Sequence, residues 1–105
     1  MAVQNIEKVP IGTEKKLVIS IEPIDNISMD DYDFKVEVYA KGRPITITKE
    51  QSIRKDKDNY AICVDTAKIG RGRMMVKVIA YIPDADFDDM LRTEIVIIDT
   101  NIDIV

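Results

Sequence analysis

The stretch GRMMVKVIAYIP, Gly72 to Pro83, decides the fold class. Met74, Val76, Val78, Ala80 and Ile82 fall on one side of it, and Arg73, Met75, Lys77, Ile79 and Tyr81 on the other. Side chains alternate between faces only in an extended chain, so this run reads as a long β-strand. The neighbouring runs repeat the pattern. In DFKVEVYAK, Phe34, Val36, Val38 and Ala40 oppose Lys35, Glu37, Tyr39 and Lys41. NYAICVD sets Tyr60, Ile62 and Val64 together, and KKLVISI sets Leu17, Ile19 and Ile21 together. RTEIVIID and NIDIV complete the set. All are rich in β-branched and aromatic residues, as half-buried strands are. No segment sustains a 3.6-residue period; TKEQSIRK, Thr48 to Lys55, offers at most one helical turn.

Breaks fall at residues 23–31, 42–44, 55–59, 70–72 and 83–90. Strands at that spacing predict an all-β, antiparallel sandwich of about seven strands. The chain has one cysteine and no tryptophan, so "immunoglobulin-like" describes the expected architecture and nothing more. With 105 residues there is room for a single core. The expected division is an N-terminal arm over residues 1–13 and one sandwich domain over 14–105.

Composition removes several function classes. A formal net charge of −4 weighs against a nucleic-acid partner. The basic clusters Lys41-Gly42-Arg43, Arg54 to Lys57 and Arg71-Gly72-Arg73 are short and lie beside acids, as solvated loops do. No run approaches the roughly 18 apolar residues of a membrane helix. MAVQNIEKVPIGTEKK lacks the apolar segment of a secretory signal. The expected location is the cytoplasm or a particle assembled there. Cys63 sits in an apolar run and there is no histidine, so a Cys-His nucleophile is excluded and a core position is expected.

Two features point to partners. Residues 1–13 mix Val3, Ile6, Val9 and Ile11 with Pro10 and Gly12 and do not alternate. They read either as a frayed end or as an extended arm that adds a strand to a neighbouring subunit. Met75, Ile79 and Tyr81 face away from the core side of their strand, and Ile95 and Ile97 alternate with Val96 and Ile98. A strand that is apolar on both faces calls for a second cover, from the chain's own ends or from a partner.

IPDADFDDMLRTE, Ile82 to Glu94, carries Asp84, Asp86, Asp88 and Asp89. Asp84, Asp86 and Asp88 match the first three ligand positions of a helix-loop-helix calcium loop. The glycine position is filled by Asp89, however, and the bidentate glutamate position by Ile95. The loop therefore reads as a Pro-Asp turn with Phe87 anchored on the end of the sandwich. A glycosidase pair would need aromatic platforms and a deep cleft, which a chain of 6% aromatics with no tryptophan does not provide. Neither a zinc set, a P-loop nor a nucleophile elbow occurs. No enzyme activity, cofactor or metal is expected.

DYDFKVEVYAKG, YAICVDTAKIGRGRMMVKVIAYIPDADFDD and RTEIVI together resemble small immunoglobulin-like virion proteins of Bacteroidetes phages, including crAss-like phages and their prophage relatives. The pattern is an opening apolar strand, then Tyr32-Asp33-Phe34 leading into a second, Asp65-Thr66 with Ile69-Gly70-x-Gly72, Pro83-Asp84 with Asp86-Phe87, and Arg92-Thr93-Glu94. It covers most of residues 15–100. The layout is more loosely similar to the N-terminal immunoglobulin-like domain of phage upper-baseplate proteins. The resemblance implies a head auxiliary (decoration) protein on the outer capsid surface, clamping neighbouring copies of the major capsid protein and self-associating, in threes at a threefold axis. It also admits a tail ring, collar or baseplate component. A glycan or cell-surface binding module using Tyr32, Tyr39 or Tyr81 is a further alternative. The expected contacts with other virion proteins are Val3, Ile6, Val9, Ile11, Asp84, Asp86, Phe87, Asp88 and Asp89.

Overall fold

The computed structural model describes residues 6–105. Eight strands follow in order: β1 (Glu7–Val9), β2 (Glu14–Ser20), β3 (Asp33–Tyr39), β4 (Ile45–Thr48), β5 (Ile53–Asp56), β6 (Asn59–Asp65), β7 (Gly72–Pro83) and β8 (Leu91–Ile104). A four-residue helix, α1 (Thr66–Ile69), joins β6 to β7. The strands form a five-stranded sheet ordered β1-β8-β7-β3-β4 and a three-stranded sheet ordered β2-β6-β5. That division, with β8, β7 and β3 consecutive in one sheet and β2 beside β6 in the other, is the immunoglobulin-like sandwich. Five of the six strand pairings are antiparallel; β1 runs parallel to β8.

The core follows from the period-two runs. Phe34, Val36 and Val38 of β3 and Met74, Val76, Val78, Ala80 and Ile82 of β7 are buried against Ile19 of β2 and Tyr60, Ile62 and Val64 of β6. Phe34 sits edge-on to Tyr60, with ring centroids 5.1 Å apart. β4 and β5, four residues each, bring the strand count above the expected seven. TKEQSIRK divides: Thr48 caps a single 3-10 turn at Lys49–Gln51, and Ile53 then opens β5. RTEIVIID and NIDIV belong to one strand, β8, broken internally by a bulge.

Three expectations need correction. Cys63 is exposed, because Tyr60, Ile62 and Val64 take the inward positions of β6 and an odd residue in that register must point out. Ala61, on the same outward side, is covered by its ladder partners Val18 and Ile53. The stretch expected to fray or to reach a neighbour forms, over Glu7–Val9, a strand of the chain's own sheet. Val9 is therefore buried in its own core and offers nothing to a partner. The cause is the edge left by Ile102–Ile104, which β1 covers. Val105 N–H donates to Val9 O at 2.9 Å, and Ile11 N–H donates to Val105 O at 2.8 Å. Val3 lies outside the described residues.

Corners are fastened by buried polar groups. The fully buried Thr66 hydroxyl donates to Thr13 O at 2.8 Å and accepts from Gly12 N–H at 2.9 Å, tying the β1–β2 turn to α1. Gly42 packs against the end of α1, where a Cβ would lie 2.6 Å from Ile69 O. Only glycine allows that approach.

Candidate protein-interaction surface

β7 and β8 form a long hairpin whose side chains split between two faces. Inward, β7 builds the core. Outward, the ladder pairs Ile79 with Ile95, Lys77 with Ile97, Met75 with Asp99 and Tyr81 with Thr93. Ile95 and Ile97 are 53% and 59% exposed. They form an apolar stripe at one side of the open sheet face, flanked by the half-buried Ile79, Met75 and Tyr81. Beyond the exposed Thr93, Leu91 and Met90 at the hairpin tip are 46% and 60% exposed. Isolated apolar residues on a surface are ordinary, but several gathered on one face mark a contact surface.

β8 also exposes its backbone. Beyond Ile102–Ile104, which pair with β1, no strand among the described residues lies along the outer edge of Leu91–Asn101. Such an edge presents unpaired N–H and C=O groups to another chain.

The aspartate loop at the tip separates into two roles. Asp84 is half-buried and its carboxylate accepts from Arg92 Nη1 at 2.6 Å, while its other oxygen accepts from Asp86 N–H at 3.0 Å. Arg92 also reaches Asp25 at 2.6 Å and Glu94 at 2.9 Å. These acids, led by Asp25, hold the guanidinium pKa above its ordinary value. Asp84 is therefore spent in its own chain, a correction to its expected role as an outward contact. Asp86, Asp88 and Asp89 are exposed. Phe87 is 41% exposed and does not anchor the loop on the sandwich, a second correction. The loop instead closes on its backbone, with Asp84 N–H donating to Met90 O and Met90 N–H to Phe87 O. Among the described residues, no three Cys, Asp or Glu side chains gather to hold a metal ion.

The remaining sequence candidates scatter. Ile6 is exposed and Ile11 half-buried, both beside β1. Tyr32 is buried; Tyr39 and Tyr81 are half-buried. Tyr81 pairs with Asp33 and Tyr39 with Met75, a separation of about 20 Å along the sheet that leaves them no shared platform. An open groove of about 480 Å³ lies between β4 and β6, lined by Ile45, Ile47, Cys63, Asp65 and Lys68 among others.

The sequence flagged Ile95 and Ile97 as two-sided but missed Met90 and Leu91, because nothing local says which strand will stand at an edge. No protein-family model, curated protein or solved structure matches the chain.

Proposed function

We propose that this protein is a non-enzymatic structural component that works by binding other protein chains through the outer face of the β7–β8 hairpin. The observation that carries the reading is the exposed Ile95–Ile97 stripe beside a strand edge that no described residue covers. Covering two isoleucines and Leu91 removes apolar surface worth on the order of 25 cal/mol per Å² from water, a driving force with no use in a free monomer. The resemblance noted in the sequence then supplies the setting, a phage head auxiliary protein on the outer capsid surface. There the net charge of −4 would keep it off packaged DNA, and exposed Asp86, Asp88 and Asp89 would orient it against basic groups of a capsid subunit.

The test is co-sedimentation of the purified chain with heads from the phage or prophage that encodes it. A fluorophore on the exposed Cys63, which lies on the opposite sheet, reports binding without touching the hairpin. Wild type should sediment with heads and the Ile95→Lys, Ile97→Lys double variant should not. Equal binding by both, or by neither, overturns the reading.

A further inference from the structure

We propose that the edge of β8 left open among the described residues pairs antiparallel with the same edge of a second copy of this chain, Val96 opposite Val96 and Ile95 opposite Ile97. Two five-stranded sheets would then become one of ten strands. The inference rests on the reading of the hairpin as an interaction surface and names its partner.

The edge itself makes the first argument. Proteins guard exposed strand edges by keeping them short, or with proline, lysine or bulges. The other edges here follow that rule. β1 has three residues, β4 has four and follows Pro44, β5 has four and carries Arg54 and Lys55, and β2 carries Lys15 and Lys16. From Thr93 to Ile98 β8 has no proline, basic residue or bulge, carries a single charge at Glu94, and is dense in β-branched residues.

Side-chain parity makes the second. Directly opposed residues in an antiparallel pair share a face, so the odd, outward residues of one copy must meet odd residues of the other. Centring on Glu94 would set two carboxylates face to face, and centring on Ile97 would set each Ile95 against an Asp99. Centring on Val96 sets Ile95 against Ile97 twice, and Thr93 against Asp99, a hydroxyl against a carboxylate. Aliphatic and polar pairs of this kind stabilise a sheet. The charges along the seam are already neutralised within each copy: Glu94 by Arg92 at 2.9 Å and Asp99 by Arg73 at 3.0 Å. No uncompensated like charges meet.

Area sets the strength. From Arg92 to Thr100 the seam is about 30 Å long and about 10 Å high, so it buries roughly 600 Å² in all. Stable interfaces start near 1,200 Å². The pair is therefore weak in solution and forms at high local concentration, as on an assembled surface.

Sedimentation velocity on the full chain, from about 10 µM to about 1 mM, should show a monomer–dimer equilibrium. Ile97→Lys should weaken it about tenfold or more, since lysine then lies where an apolar pair closed. Ile95→Lys with Ile97→Glu should restore it, because each lysine then opposes a glutamate. If the pair were centred on Ile95, lysine would oppose lysine and the double variant would stay monomeric. Far-UV circular dichroism confirms that each variant is folded. A monomer throughout, a trimer, or a dimer indifferent to Ile97→Lys overturns the proposal, as does failure of the charge-paired variant to recover. Dimerisation only after removal of residues 1–5 would also overturn it, by making the chain's own N-terminal segment the occupant. A monomer that still binds heads overturns the pairing alone; a dimer that binds none overturns the functional reading alone.

Discussion

Asp30 joins three parts of the chain that the sequence keeps far apart. Its carboxylate accepts from the Tyr60 hydroxyl at 2.6 Å and from Arg54 at 2.8 and 2.9 Å. Its carbonyl accepts from Lys49 Nζ, which also donates to Tyr32 O at 2.7 Å and lies over the Phe34 and Tyr60 rings. The Arg54 hydrogen bond, and after it that of Tyr60, pull the Asp30 pKa down to about 2; burial, then the bond to Asp30, pushes Tyr60 up to about 12. The carboxylate's stabilisation is present above its ordinary value of 3.8 and is lost as pH falls towards about 2. The tyrosine's is present below 10.0 and is lost as pH rises towards about 12. Asp30→Asn should therefore melt below wild type at neutral pH, and the gap should close between about pH 4 and pH 2. Melting curves across that window check it; a constant gap would refute the linkage. None of this was legible in the sequence, where Asp30 stood in a loop and Arg54 in a solvated charge run. The same holds for Asp84, read as one of four equivalent aspartates and set apart by Arg92, which also holds Asp25, 67 residues away.

At the scale of elements, legibility follows length and alternation. β3, β6 and β7 bury one whole face, so their sequences had to alternate, and they were readable. β4 and β5 are too short to show a period, and β1 has three residues. β8 was read as two strands because its pattern stumbles near Asn101, and the structure supplies the reason. Arg73 pairs with Asp103 and Met75 with Asp99, so β8 carries two more residues than β7 across this step. Two extra residues preserve parity, and Ile102 and Ile104 remain inward. The bulge is held by Thr100, whose hydroxyl donates to Met74 O at 2.8 Å and accepts from Ile102 N–H, and by Asn101 N–H donating to Asp99 Oδ1 at 2.9 Å. Asn101 adopts φ 58°, a conformation asparagine tolerates and β-branched residues do not. Asn101→Gly should leave the urea midpoint nearly unchanged, whereas Asn101→Val should lose about 1–2 kcal/mol. Equal losses would mean that the asparagine side chain, and not its backbone, holds the bulge.

Across the whole molecule, the isoleucines divide by duty. Ile102 and Ile104 are buried where the two ends of the chain meet, with β7 on one side of them and β1 on the other. Ile95 and Ile97, on the same strand, face solvent. Sequence alone scores all four alike, because hydrophobicity records neither which face is outward nor which edge is open; only the sheet order separates them. The division has a direct experimental consequence. Removing Ile102–Val105 deletes two buried side chains, each worth about 2–5 kcal/mol in a packed core, and leaves β1 without the strand that holds it. Against a total stability of about 5–15 kcal/mol, that deletion should abolish cooperative melting and collapse the dispersion of the amide NMR spectrum. The Ile95→Lys, Ile97→Lys variant should instead melt within a few degrees of wild type, since neither side chain contributes to the core. If the double lysine variant unfolds as the truncation does, the stripe belongs to the fold and not to a partner, and the functional reading falls with it.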